Sequence, residues 1–277
     1  MKRKFLLRIC LSVVALSAVL SACQKNSNST QVTPVVKSEV SAEVLQNIKD
    51  LGFSTSEVHK VNDGYLVEGD ILLTEENFAE ASTSPNLRIA ETEQYRTTNL
   101  VKSLPRTITI SVSNLPTVYA TATANAVARY NALSLLIKFQ IVSSSGNIQV
   151  VGFNQGPSGG YITLGSSGFP TKQGNPYKQI QMNTNAAAYG SNPDVNYITS
   201  VLQHEIGHCI GFRHTDYFDR SYSCGGAASN EGASNIGAIL IPGTPSTADA
   251  NSWMLACSNG TDRTFNTNDK IALNYLY

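Results

Sequence analysis

The chain has 277 residues, 20 of them basic and 20 acidic, so its formal net charge is zero. No stripe of lysine and arginine is visible in the sequence, which excludes nucleic acid as the expected partner. A chain of this length, with 42% hydrophobic residues, can form one large domain or two small ones.

The first 22 residues are predicted to be an export signal rather than part of the fold. A basic start precedes an apolar run, residues 11–20, that is too short to span a membrane. The run leads into Leu20-Ser21-Ala22-Cys23, which resembles the lipobox of bacterial lipoproteins. This resemblance implies cleavage after residues 1–22 and a lipid on Cys23 that anchors an exported protein in the membrane of the cell envelope or at the cell surface. The alternative is an ordinary secretory signal that happens to contain Cys23.

The next 78 residues are interpreted as a tether and a pro-segment. Residues 23–40 are polar and without periodicity, which is typical of a flexible tether. Residues 41–100 are interpreted as the pro-segment, whose last part, up to Asn99, is predicted to be loosely structured. The elements predicted within it are a helix from Ser41 to Gly52, strands at 57–61 and 65–73 around the turn Asn62-Asp63-Gly64, and a helix start at Thr74.

Residues 101–277 mix strand and helix patterns, so an α+β domain is predicted. Clean alternation at 107–112 indicates a strand, and Pro116 suits the first turn of a helix. Residues 215–262 are rich in Gly, Ser and Asn and are predicted to be irregular. The other predicted elements are a helix at 118–136, strands at 136–142, 148–153, 161–164 and 178–183, and helices at 194–210 and 267–275.

Five residues near the end of the second long helix stand at the spacing H-E-x-x-H-x-x-G-x-x-H. At 3.6 residues per turn, His204 and His208 share one helix face about 6 Å apart, which suits two ligands of one zinc ion. Glu205 lies about 100° round the helix from His204, where a carboxylate can act as a general base on water. Gly211 allows a sharp exit from the helix. His214 can then return as a third ligand and leave a fourth position open for water.

The run His204-Glu205-Ile206-Gly207-His208, with Gly211 and His214, resembles the motif of the bacterial dual-action HEIGH metallopeptidases of the metzincin clan. The resemblance covers residues 101–277. It implies a twisted mixed sheet, a backing helix, an active-site helix and an irregular C-terminal subdomain that ends in a helix. It also implies a zinc-dependent endopeptidase with one Zn²⁺, and a peptide or protein substrate that pairs with an edge strand at residues 160–165. We expect a monomer.

The resemblance further implies a methionine below the metal, in a tight turn after the third histidine. Met254 follows His214 by 40 residues and is predicted to form this apolar floor; the alternative is an ordinary core methionine. Some metzincins have a tyrosine ligand two residues later, where this chain has Ala256, so no tyrosine ligand is expected. The specificity pocket is expected between His214 and Met254.

The pro-segment contains a second resemblance, which concerns latency. Val67-Glu68-Gly69-Asp70-Ile71 resembles the pro-segment of astacin-type metzincins, in which a Gly-Asp carboxylate takes the place of the catalytic water. We therefore predict that Asp70 holds the full-length chain latent; the alternative is an ordinary turn at a strand end. A thiolate cannot have this role, because no cysteine lies between Gln24 and Gly207.

Three cysteines follow Cys23, and two of them are predicted to be paired. Cys209 lies inside the motif helix, whereas Cys224 and Cys257 lie in the irregular stretch. An exported protein can hold a disulfide, so these two are predicted to be bridged. The alternative is two unpaired thiols.

Two other functions remain to be compared with a peptidase. One is a surface lipoprotein that uses a zinc-stabilised fold as a binding or adhesion module; a purely structural site, however, has no need of Glu205. The other is a zinc peptidase of the thermolysin type with a downstream glutamate ligand, which His214 makes unnecessary.

Overall fold

A computed structural model describes residues 40–81, 94–158, 160–232, 237–245 and 248–277. The predicted export signal, Cys23 and nearly all of the tether lie outside the described residues. Within these ranges no helix is long and apolar enough to cross a membrane.

The N-terminal described segment folds around a small antiparallel sheet. The Ser41 hydroxyl accepts a hydrogen bond from the Val44 amide and caps the first helix, as predicted. The elements are α1 (Ala42–Asp50), β1 (His59–Val61), β2 (Gly64–Val67), β3 (Ile71–Leu73) and α2 (Glu75–Ala81), with the strand order β1-β2-β3. Ile48, Phe53 and Val67 belong to its buried core, which also includes Phe169 from the following domain.

The single strand predicted over residues 65–73 is wrong. The chain turns back at Glu68-Gly69-Asp70, and β2 and β3 pair antiparallel on either side. Glu68 and Gly69 have φ values of 55° and 88°, which close the turn. The residues on both sides are apolar, so the hydrophobic pattern alone does not reveal the reversal.

A five-stranded mixed sheet forms the centre of the remaining domain. Its strands are β5 (Arg106–Val112), β6 (Ile137–Ile141), β7 (Ile148–Phe153), β8 (Gly165–Ser166) and β9 (Gln179–Asn183), in the order β6-β5-β7-β9-β8. Only β8, at one edge, runs antiparallel to its neighbour. Two long helices, α3 (Thr117–Asn131) and α5 (Val195–Ile210), pack against each other. Their buried faces share one hydrophobic core with the sheet.

Two predicted boundaries are corrected in this domain. Helix α3 ends at Asn131 instead of residue 136, because the Asn131 amide binds both the N–H and the carbonyl of Phe139 and ties the helix end to β6. The strand predicted at 161–164 is absent, and the edge strand expected within 160–165 begins only at Gly165 and comprises Gly165–Ser166. Tyr161 pairs only with Ser158 in a tight local bridge, so pairing with β9 begins later in the chain.

The C-terminal part is mostly irregular, as predicted, with short elements that the sequence pattern did not indicate. These are α6 (Ser221–Cys224) and β10 (Ile239–Leu240), which pairs with β4 (Tyr95–Arg96). A further short helix, α4 (Ala186–Tyr189), lies between β9 and α5. Tyr95 is fully buried, so residues 94–96 are not loosely structured; residues 82–93 lie outside the described residues. Helix α7 (Thr267–Leu276) is capped by Asn266, the residue before the predicted helix start. The structure pairs Cys224 with Cys257 in a disulfide.

The described residues belong to one compact unit that runs from residue 38 to residue 277. The predicted pro-segment therefore packs as part of the same body as the domain that carries the histidine motif. The predicted α+β arrangement is confirmed: the domain has a mixed sheet, a backing helix, a motif helix and a C-terminal helix.

Candidate active site

Helix α5 carries the histidine motif, and its two ends are defined by specific residues. The Asp194 side chain accepts a hydrogen bond from the Asn196 amide at 2.8 Å and caps the first turn. At the other end Gly211 has a φ of 110°, a left-handed conformation that ends the helix. A Cβ at Gly211 would lie 2.7 Å from the Leu100 side chain and 3.0 Å from the Asn99 carbonyl oxygen, so only glycine fits. The chain therefore leaves α5 sharply, and His214 returns towards the helix.

The structure brings the side chains of His204, His208 and His214 together with a common orientation. Each Nδ1 faces a hydrogen-bond acceptor, which fixes the ring orientation and directs each Nε2 towards the centre of the cluster. The acceptors are the Trp253 carbonyl for His204 at 2.9 Å, the Phe212 carbonyl for His208 at 2.8 Å and the Glu231 carboxylate for His214 at 2.7 Å. The Nε2 atoms of His208 and His214 are 3.1 Å apart.

The residues at this point fit a metal ion. One ligand atom from each of Asp70, His204, His208 and His214 lies within 4.8 Å of all the others. The His204 Nε2 and Asp70 Oδ1 atoms are buried and have no hydrogen-bond partner among the described residues. Burial, together with the neighbouring imidazoles, lowers the pKa of His208 well below its ordinary value, which favours the neutral form that binds metals. Three imidazoles and one carboxylate form a donor set that suits zinc.

Glu205 lies beside these histidines and against the edge strand. Its carboxylate accepts a hydrogen bond from the Ser167 hydroxyl at 2.7 Å. A Cβ on Gly165 in β8 would come within 3.0 Å of the other carboxylate oxygen. Burial, followed by the charge of Asp70, raises the pKa of Glu205 well above its ordinary value. The arrangement therefore places a buried carboxylate with raised proton affinity between the edge strand and the histidine cluster.

Met254 packs beneath helix α5 at Gly207, between the two helical histidines. A Cβ on Gly207 would come within 2.4 Å of the Trp253 ring and 2.6 Å of the Met254 sulfur, so the helix and the turn are in close contact. The Met254 carbonyl also accepts a hydrogen bond from the Thr215 amide at 2.9 Å, next to His214. The turn thus contacts the segments that carry all three histidines.

Asp70 reaches the histidine cluster from the turn between β2 and β3. Its Oδ2 atom is 3.1 Å from the His214 Nε2 and 3.4 Å from the His204 Nε2. Burial raises the pKa of the Asp70 carboxyl, but His214 and His204 outweigh it and leave the pKa well below its ordinary value. The backbone next to Asp70 pairs with the edge of the central sheet. The Ser167 amide donates to the Asp70 carbonyl at 3.0 Å, and the Leu72 amide donates to the Ser167 carbonyl at 2.8 Å.

Several residues around the site were not predicted from the sequence. Glu231 lies in a stretch without periodicity, and nothing in its spacing connects it to His214. Ser167 was also missed. It directly follows β8, a strand of only two residues, and pairs with Ile71 in an isolated bridge. The Trp253 carbonyl could have been found, because it directly precedes the predicted methionine. Cys23 lies outside the described residues.

The fold and this site define a class, the metallopeptidases. The chain belongs to the dual-action HEIGH metallo-peptidase family, whose sequence pattern matches residues 65–277. This membership confirms the resemblance seen in the motif, and with it the assignment of the protein as a metallopeptidase.

Solved structures of metalloproteases resemble the chain at low identity. A structure of myroilysin is 16% identical, covers 65% of this chain and 96% of its own, and has a TM-score of 0.41. A crystal structure of myroilysin is 18% identical, covers 64% and 86%, and has a TM-score of 0.38. High choriolytic enzyme 1, a hatching enzyme zinc-protease from the medaka fish Oryzias latipes, is 13% identical, covers 61% and 88%, and has a TM-score of 0.36. Among curated proteins, none matches the sequence.

Proposed function

We propose that the protein is a zinc-dependent endopeptidase that is latent in its full-length form. The observation that carries this proposal is the convergence of three oriented imidazoles beside a buried glutamate and a sheet edge. His204, His208 and His214 would hold the zinc ion. A bound zinc ion supplies Lewis acidity to the scissile carbonyl group.

The residues of the chain account for the remaining steps. The edge of β8 aligns the substrate backbone by strand pairing. Glu205 accepts a proton from the attacking water and then passes it to the leaving amine. Its raised pKa makes this carboxylate a stronger proton acceptor, and the Ser167 hydroxyl holds it in place. Met254 forms the apolar floor below the histidines.

Asp70 is proposed to keep the site latent. Its carboxylate takes a place beside His204 and His214 that the catalytic water requires. The Asp70 backbone carbonyl also accepts a hydrogen bond from the Ser167 amide, at the sheet edge on which the substrate would lie. Both features block the same cleft, so loss of the Asp70 carboxylate should relieve latency in part, and release of the turn at residues 68–70 should relieve it fully.

The test compares wild type, Asp70→Ala and the pair Asp70→Ala with Glu205→Gln as full-length proteins on casein. The Asp70→Ala chain is expected to cleave casein at least about 10-fold faster than wild type, since one barrier to the cleft is removed. A chelator and the added Glu205→Gln change should each abolish this cleavage. The matched control is Asp63→Ala, which alters another turn of the same segment and should leave latency intact.

An Asp70→Ala chain that is no more active than wild type would disprove the latency proposal. Chelator-insensitive cleavage would disprove the metal mechanism. Zinc content of the purified wild-type chain, measured by elemental analysis, gives a separate test and should be one ion per chain.

We also propose that the protein is exported and anchored by a lipid on Cys23. This proposal rests on three features of the first residues: a basic start, an apolar run and the sequence Leu20-Ser21-Ala22-Cys23. Incorporation of labelled palmitate into wild type but not into Cys23→Ser is the expected result, and labelling of both or neither would contradict it.

A further inference from the structure

Glu68, two residues before Asp70, is buried at the tip of the same turn, where one of its carboxylate oxygens lies within 4.8 Å of a ring nitrogen of His214 and of a carboxylate oxygen of Glu231. It is 2% exposed and has a φ of 55°, in the left-handed region. One carboxylate oxygen accepts a hydrogen bond from the Ser54 amide at 3.2 Å, and the other lies 3.6 Å from the Arg213 guanidinium. A strained backbone and a buried carboxylate both cost free energy. An exposed residue would close this turn equally well, so the position of Glu68 calls for a reason beyond the turn.

The group that faces Glu68 is Arg213, whose side chain is fully buried. The residues that surround the Arg213 guanidinium come from the predicted pro-segment and from the domain that follows it. Phe53, in the predicted pro-segment, and Phe169, beyond the edge strand, lie against the guanidinium at 4.9 and 5.8 Å from their ring centres. The Nη atoms donate to the carbonyls of Gly232 and Gly237. The Nε atom has no hydrogen-bond partner among the residues that the structure describes. Release of the pro-segment would therefore uncover a preformed guanidinium site with an unused donor.

Arg213 has two buried acidic partners, Glu68 and Glu231, which also lie close to each other. Glu231 lies 3.5 Å from the Arg213 guanidinium. Glu231 is already shared with the His214 Nδ1 at 2.7 Å and with the Arg220 Nε at 3.2 Å. Without Glu68, one carboxylate would face two guanidinium groups and an imidazole. An arginine in a water-poor site with too few acidic partners binds carboxylates strongly.

We propose that Arg213 binds an acidic side chain of the peptide substrate, and that Glu68 occupies this subsite in the latent chain. Glu68 and Asp70 lie two residues apart on a segment that already follows the substrate edge at Ser167. The acidic residue of the substrate would thus lie within a few residues of the scissile bond. This inference rests on the proposed endopeptidase function and adds the substrate class, peptides that carry Asp or Glu near the cleavage site.

The first experiment tests the subsite without any need for activity. In the full-length chain, Glu68→Gly removes the carboxylate and tolerates the left-handed backbone. Propionate, which matches the lost side chain, should then raise Tm by about 2–4 °C more than neutral propionamide does. The matched control is Glu57→Gly, because Glu57 is an exposed glutamate of the same segment with a φ of 61°. Neither this control nor Glu68→Gly combined with Arg213→Met should respond to propionate.

Glu68→Ala provides a second variant of the same cavity if the glycine variant does not fold. Equal effects of propionate and propionamide on the folded variant would overturn the subsite. A response that persists after Arg213→Met would also overturn it, because the carboxylate would then bind elsewhere.

The second experiment tests whether substrates use the subsite. Casein fragments produced by a chain that carries both Glu68→Gly and Asp70→Ala, in which the subsite is vacated, are sequenced, and Asp and Glu are expected to be enriched at one position near the cleaved bonds. For a peptide pair that differs only by Glu or Gln at that position, kcat/KM should favour Glu by at least about 10-fold, a preference that Arg213→Met should remove. If propionate binds but this preference is absent, Arg213 binds only the Glu68 carboxylate of the pro-segment and no substrate side chain. That result would overturn the inference. Absence of chelator-sensitive cleavage would count against the proposed function, while the propionate result would still decide whether the carboxylate site exists.

Discussion

Glu231 connects the histidine site to the buried charges behind it. Burial opposes its negative charge, but His214, Arg213 and Arg220 outweigh burial and lower the pKa of Glu231 to about 2. Its carboxylate lies 2.7 Å from the His214 Nδ1, so the His214 Nε2 faces the His208 imidazole and Asp70. A residue that touches no substrate thus orients one of the proposed metal ligands.

Replacement of Glu231 with glutamine should weaken metal binding without removing the hydrogen-bond acceptor. The loss of charge makes His214 a poorer donor of its lone pair, and a loss of zinc affinity of about 10–100-fold is expected. Competition with a chromophoric chelator measures it. Glu57→Gln, a change at an exposed glutamate, is the control and should bind zinc like wild type. Equal affinity of Glu231→Gln and wild type would contradict the orienting role.

At the scale of elements, the contact between helix α5 and the turn at Met254 determines how the site is assembled. Gly207 lies between the two helical histidines, and the absence of a side chain there lets Trp253 and Met254 approach the helix. The same turn supplies the carbonyl that orients His204. The helix sets the spacing of His204 and His208, whereas the turn packs against the helix between them and orients the His204 ring.

Gly207→Ala should therefore damage the site although alanine favours helices. The new Cβ would meet the Trp253 ring at 2.4 Å and the Met254 sulfur at 2.6 Å, which forces the turn away from the helix. A loss of about 1–3 kcal/mol in the free energy of unfolding is expected from such overpacking, together with weaker zinc binding. Denaturant unfolding measures the stability. Gly156→Ala is the control, since a Cβ at Gly156 would meet nothing within 4 Å.

At the scale of the whole molecule, the site joins segments that are distant in the sequence. Asp70 comes from the turn before β3, Glu205 from α5 and Met254 from the C-terminal part. A metal ion held where these segments meet would stabilise the folded chain as a unit, because the unfolded chain has no preformed site.

Removal of the metal should consequently lower the thermal stability of the entire chain. Zinc at about 1,000 times its Kd contributes about 4 kcal/mol, so a chelator should lower Tm by about 8 °C or more. His208→Ala should start with a low Tm and respond little to the chelator. His59→Ala is the matched control, since His59 is the one histidine outside the motif, and should respond like wild type. Equal chelator responses in all three proteins would contradict a site at His208.

Much of the site could be predicted because its strongest signals are local in the sequence. The helix period places His204 and His208 on one face, and the need for a glycine at the helix end follows from backbone sterics. The α+β class and the long elements follow from hydrophobic periodicity in the same way. Predictions were weaker where elements are short: the edge strand was misplaced, and the reversal at Glu68-Gly69-Asp70 was missed.

The sequence by itself determined the chemistry of this protein: three histidines and a glutamate at a spacing that a helix and a glycine exit convert into one cluster. The tertiary structure decided what surrounds that chemistry. It brought Glu231 to His214, Ser167 to Glu205, Asp70 to the imidazoles and Glu68 to Arg213. The physical reason is that helix geometry acts within a few residues, whereas these pairs form only when distant segments are packed together and buried charges need partners.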